Sequence, residues 1–262
     1  MKQEELNFYT FSGIVLLISE IWKQVYLTYI HGYYMWWHFP LQICSLPMYL
    51  CLLLPHTKKY RYDILNYLMT FGMVGGIAGL IGSFGLKYPR LSLSLHSIIW
   101  HVYLIVIGWV SGHIWMRVRR QRKDFKGACK IFALTAVLAY LINKAVYPYA
   151  GINLFYLNAK VMVDIPIFIH LVPLVGNRLT ILLVIFAMVE FSRLTIEIWY
   201  VCCEEMKIRE KEKKKAVGYR RHWQNGLSDF YSYIGCFTAE AVVFCIYWWI
   251  RGWILGNSKD KS

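Results

Sequence analysis

Cys44, His101 and Glu20 stand in stretches of the chain that are otherwise largely apolar. A thiol becomes a nucleophile when a neighbouring base or positive charge draws off its proton; histidine is the usual base, and an acid commonly orients it. These three residue types are therefore the equipment of an activated thiol nucleophile. His96, one turn and a residue before His101, is a second candidate base. Gln42, Asn143 and Asn153 carry amide N–H groups that could stabilise a tetrahedral oxyanion, and Glu190 adds a carboxylate with Arg193 three residues on.

Each of these residues also has a plainer reading. A cysteine on an apolar helix commonly packs as a small hydrophobe, the reading taken by Cys51, Cys129, Cys202, Cys203, Cys236 and Cys245. Glu20 with Lys23, and Glu190 with Arg193, read equally as internal ion pairs that hold helices together. His113 fits a hydrogen-bonded structural role near a helix end. Seven cysteines without regular spacing describe no disulfide framework, and eight dispersed histidines with no HExxH or CxxC give no metal site. Nothing in the chain calls for a cofactor.

Burying such side chains costs about 2.5–3.5 kcal/mol at the centre of a membrane helix, so the elements that carry them matter. Of 262 residues, 58% are hydrophobic, which points to lipid as the solvent. The 11 Trp and 20 Tyr suit two membrane interfaces. The net charge of +14 falls in short clusters between apolar runs, as in cytoplasmic loops, and nucleic-acid binding is not expected. Seven stretches are long enough to span: 8–30, 36–54, 62–82, 92–116, 127–147, 178–202 and 230–255. Without a ten-residue alternation that would suggest a barrel, the expected fold is all-α, a polytopic transmembrane helical bundle of about seven helices. The first stretch contains Glu20 and Lys23 and has no small-residue cleavage site, so it reads as a retained helix rather than a signal peptide.

Orientation follows from the basic loops. Lys58, Lys59 and Arg61, then Arg117, Arg119, Arg120, Arg122, Lys123 and Lys126, then the stretch from Lys207 to Arg221 lie on one side; the other side has Lys87, Arg90, Lys160 and Arg178. The N-terminus is expected in the cytoplasm and the C-terminus outside, against which stand Lys259 and Lys261 in the tail. In that frame Glu20 lies about 15 Å below the outer surface, Gln42 and Cys44 about 9–12 Å, and His96 and His101 about 8 and 15 Å. Glu190 lies at a comparable depth. Four helices thus bring Glu20, Cys44, His101 and Glu190 to similar levels in the outer half of the bilayer.

The domain expectation is a six-helix core over 1–205, a basic cytoplasmic loop over 206–229, and an additional C-terminal helix and tail over 230–262. The connection from Tyr147 to Asn177 holds Pro148, Gly151, Pro166, Pro173 and Gly176, so it cannot be one straight helix. An ordered outer loop or re-entrant piece packed on the bundle is expected there. Glu204 to Lys215 reads as a cytoplasmic extension of the sixth helix. Gly72, Gly75, Gly76, Gly79 and Gly82 repeat at spacings that permit close helix contact.

Phe39-Pro40-Leu41-Gln42-Ile43-Cys44 resembles the PL(H/Q)LC motif of the YwaF and transmembrane protein 164 family of multi-pass membrane proteins. Tyr88-Pro89-Arg90 followed by Ile99-Trp100-His101-Val102-Tyr103-Leu104 is similar to the family's Pro-containing outer loop and the histidine of its next helix. Ile142-Asn143-Lys144 and then Gly151-Ile152-Asn153-Leu154-Phe155-Tyr156-Leu157-Asn158 resemble its N-K and G-x-N-x-x-x-L segments, and Ser19-Glu20 its first acidic position. The resemblance covers about residues 8–205. In the animal branch it implies an acyltransferase that moves fatty acyl chains between phospholipids through a cysteine assisted by a histidine, roles that fall on Cys44 and His101. This chain departs from many bacterial members at Gln42, often a histidine there, and has the additional His96.

The leading expectation is accordingly a lipid acyltransferase with membrane phospholipids as acyl donor and acceptor, Glu20 orienting or charge-balancing the histidine. The alternatives are a small transporter with Glu20, His101 and Glu190 lining a polar cavity, or a membrane scaffold without catalysis. For a bacterial chain the inner membrane would be the natural location.

Overall fold

Helix α1 (Gln3–His31) begins with Glu4 and Glu5 in its first turn, where carboxylates complement the helix dipole. The Glu5 side chain also accepts the Lys2 backbone N–H at 2.9 Å. It stops at Gly32, whose φ of 72° is the left-handed conformation that glycine adopts at low cost, and whose N–H closes on the Thr28 carbonyl. At 29 residues, α1 is long enough to cross a bilayer. The computed structural model describes residues 1–83, 90–118 and 124–217.

The second apolar stretch differs from the single span expected of it. A 3-10 turn at Trp36–His38 and an irregular segment lead into α2 (Leu46–Leu53), only eight residues and about 12 Å long. Pro40 and Pro47 are the physical reason: neither has a backbone N–H to give, and Pro47 is accommodated in the first turn of α2. Irregular backbone within a membrane protein is tolerated where protein covers it. Here Leu52 packs against α1 so closely that a Cβ at Gly13 would meet its backbone nitrogen at 2.9 Å.

Helix α3 (Arg61–Tyr67) passes through a π-helical turn at Leu68–Gly72 into α4 (Met73–Ser83). The buried face of this continuous unit packs on α5 (Leu91–Val118), α6 (Phe125–Val146) and α2. Phe71 stacks on Phe132 of α6 with ring centroids 4.5 Å apart. After α6, 3-10 turns at Leu154–Tyr156 and Phe168–His170 and the short α7 (Val172–Val175) lead to α8 (Asn177–Val217). Among the described residues, Arg61–Gly82, Leu91–Val118, Phe125–Val146 and Asn177–Glu205 are long and apolar enough to cross a membrane.

α1 and α5 are antiparallel, tied at five levels. Glu5 pairs with Arg117, Tyr9 Oη meets Ser111 Oγ at 2.8 Å, Tyr103 donates to Ser12 Oγ at 2.9 Å, His96 meets Ser19, and Ser92 donates to Tyr26 Oη at 3.2 Å. In lipid, apolar surface supplies little drive for helix association, and such ties contribute on average about 0.6 kcal/mol each. The ladder fixes the register of α5, and with it the level of its histidines.

The chain divides into two units, Met1–Val201 and Cys202–Ser262. Outside the described residues lie Lys87, Tyr88, Pro89, Arg119, Arg120, Arg122 and Lys123, the expected basic loop beyond Val217, and the expected span 230–255 with Cys236 and Cys245.

Candidate functional site

Cys44 sits in the turn that immediately precedes α2. Its backbone carbonyl accepts the indole N–H of Trp100 on α5 at 3.1 Å. His101 is the next residue of α5, and its imidazole lies on Gly79 of α4: a Cβ there would run into the ring at Cδ2 and Nε2. One turn earlier, a Cβ at Gly75 would meet the Ile43 side chain at 3.4 Å. Two adjacent turns of the α4 glycine face therefore carry Ile43, the neighbour of Cys44, and His101. The absence of side chains at Gly75 and Gly79 lets the Cys44 turn and the His101 turn of α5 approach the same face.

The tautomer of His101 follows from its hydrogen bond. Nδ1 lies 2.7 Å from the Ser97 carbonyl, and a carbonyl oxygen only accepts, so the ring proton is on Nδ1. Nε2 then carries a lone pair, the state a general base requires. Among the described residues no hydrogen bond joins His101 to Cys44. His96 is differently engaged: its Nε2 meets Ser19 Oγ at 2.9 Å and the Ser19 carbonyl at 3.2 Å, with the ring between Trp22 and Trp100. It is one of the ties between α5 and α1.

Glu20, 3% exposed, accepts from Lys23 Nζ at 2.7 Å and Gln24 Nε2 at 2.6 Å through the same oxygen. Gln24 Nε2 also reaches the His38 carbonyl at 2.6 Å, binding α1 to the segment that leads to Cys44. Lys23 Nζ stands 6.0 Å from the Trp100 ring centroid. Among the described residues no hydrogen bond joins Glu20 to either histidine, and its second oxygen, Oε2, is buried without a partner. Glu190 bonds to Arg193 through Oε2, 2.9 Å from Nε and 2.7 Å from Nη2, and this pair is exposed on α8.

The three candidate amides all bind backbone groups of the 153–158 segment. Gln42 donates to the Asn153 carbonyl at 3.3 Å and accepts the Phe155 N–H at 3.0 Å. Asn143 holds both backbone groups of Leu154, at 2.9 and 2.8 Å. Asn153 Oδ1 accepts the Asn158 N–H at 3.0 Å, while Asn153 Nδ2 is buried with no partner among the described residues. The turn they grip has Phe155 at φ 55° and Tyr156 at φ 56°, a left-handed conformation that costs a residue with a side chain about 1–3 kcal/mol. Leu154 and Phe155 are buried, so the connection from Tyr147 to Asn177 is an ordered segment packed on the bundle and not one straight helix.

Sequence reasoning missed Ser97 and Trp100, which position His101 and the Cys44 turn. A serine four residues before a histidine on a helix is the one signal that was available for Ser97. His113 lies between Trp109 and Trp199, at 4.2 and 5.5 Å between centroids. Cys51 and Cys203 are buried, and Cys129 and Cys202 are half-buried.

A helical bundle with long apolar helices and interhelical polar ties is the architecture of an integral membrane protein. The chain belongs to the TMEM164 family: a sequence model of that family matches residues 2–191. No curated protein and no solved structure matches the chain.

Proposed function

We propose that this protein is a lipid acyltransferase in which Cys44 is the nucleophile and His101 the base. The observation that carries the reading is the approach of the Cys44 turn and the His101 turn to the α4 glycine face, with the His101 proton held on Nδ1 by Ser97. The thiol gives its proton to His101 Nε2 and the sulfur attacks the ester carbonyl carbon of a phospholipid. The carbon–oxygen bond to the glycerol breaks, and that oxygen takes the proton from His101 and leaves as a lysophospholipid. A hydroxyl of a second lipid then gives its proton to His101 and attacks the thioester. Cleavage of the carbon–sulfur bond returns the acyl chain to an ester, and Cys44 recovers its proton from His101.

Asn153 Nδ2, a buried donor with no partner among the described residues, is the amide left to stabilise the oxyanion; Gln42 and Asn143 spend theirs on the 153–155 turn. The N-terminus of α2 begins just after Cys44, where its partial positive charge favours a developing thiolate. With the N-terminus in the cytoplasm, the site lies in the outer half of the bilayer, and acyl tails enter sideways between helices.

Acyl exchange between phospholipids by the purified protein in nanodiscs tests this reading. Exchange by the unaltered chain that Cys44→Ala abolishes is expected; full exchange in Cys44→Ala removes the proposal.

A further inference from the structure

The Glu190–Arg193 pair is at the middle of a candidate span, 13 and 16 residues into Asn177–Glu205, yet its side chains are 37% and 63% exposed. Hydrocarbon offers no polar atom to such a pair, and intramembrane charges ordinarily face a bundle interior or a partner. Leu179, Leu182 and Phe186 precede it at helical spacing and are themselves exposed, at 47%, 60% and 63%. The inward side of α8 is separately occupied, with Thr180, Ser192 and Thr195 buried. The charged pair therefore continues an outward apolar stripe.

We propose that this stripe is the contact between two copies of the chain, related by a two-fold axis along the membrane normal. The charges select that occupant. Both copies insert in the same direction, so their α8 helices run parallel. Arg193 of each then lies one turn, about 4.5 Å along the axis, from the level of the other's Glu190. Arg193 turns two of its five N–H donors to a single oxygen of Glu190. One carboxylate oxygen and three donors remain for the second copy, since neither side chain makes another hydrogen bond or ion pair among the described residues. A neutral patch with both signs one turn apart is self-complementary by symmetry, as an isologous interface requires. The four side chains form a ring in which each carboxylate meets two guanidinium groups, shielded from lipid by the Phe186 pair.

The test is energy transfer between donor- and acceptor-labelled full-length chains in liposomes over a range of lipid-to-protein ratios. The unaltered chain should associate. Glu190→Arg or Arg193→Glu should each weaken association about tenfold, and the double exchange Glu190→Arg/Arg193→Glu should restore it. Because a single charge reversal can impair insertion, a second measurement keeps the charges native: Phe186→Cys should form a disulfide between copies under oxidation. Leu134→Cys, 73% exposed on α6, should not. Monomers at every ratio, or cross-linking at residue 134 but not 186, would overturn the proposal.

Discussion

His101 and His96 stand one turn and a residue apart on α5, yet their surroundings separate their roles. Ser97 holds the Nδ1 proton of His101 and leaves the Nε2 lone pair for the proposed base, whereas Nε2 of His96 is committed to Ser19. His96→Ala should therefore cost about 0.6 kcal/mol of the α1–α5 association and leave acyl exchange within a few-fold of the unaltered protein. His101→Ala should lose about 10²–10⁴-fold in exchange rate with little change in thermal stability. Equal losses of exchange in the two variants would contradict this division. Asn153→Asp keeps the acceptor that receives the Asn158 N–H and removes the unpaired donor, so exchange should fall about 10²–10³-fold. At Asn143 the readout is stability: Asn143→Ala leaves two buried backbone groups of Leu154 unpaired, at about 1–3 kcal/mol each, and should lower the melting temperature in detergent.

At the scale of elements, the glycine face of α4 decides whether the proposed site can form. Gly79→Leu should drive His101 off its position while α4 remains helical, removing Cys44 reactivity without unfolding the chain. Reaction of the Cys44 thiol with an acyl probe, read beside far-ultraviolet circular dichroism, separates those outcomes. The long helices were legible in the sequence because each contains a predominantly apolar run of about twenty residues, and α5, α6 and α8 occupy the expected positions. The 36–54 stretch was not, because hydropathy counts Pro40 and Pro47 as ordinary residues while the backbone cannot. The 154–156 turn was hidden for a related reason: Phe155 and Tyr156 are bulky aromatics, the last residues that local preference would put at positive φ. Cys44, His101 and the amides could be singled out by type. The contacts of Trp100 and Gly79 could not, since they arise only when α5 packs on the Cys44 turn and on α4.

The whole molecule joins these pieces through a membrane. The α1–α5 ladder sets the register of the histidines, the α4 glycines bring in the Cys44 turn, and the amide clamps press the 147–176 connection onto the bundle. The proposed orientation puts that connection outside, where Tyr149 is 89% exposed. Tyr149→Cys should react with a membrane-impermeant thiol reagent added to sealed, right-side-out cells. Reaction only after the membrane is opened would reverse the orientation. The central claim is that Cys44 is an activated thiol, tested most directly by treating the protein in nanodiscs with an acyl-directed probe and mapping the labelled cysteines by mass spectrometry. Labelling at Cys44 that Cys44→Ala abolishes and His101→Ala strongly reduces is the predicted result; no labelled cysteine, or equal labelling of every accessible thiol whether or not His101 is present, would contradict it.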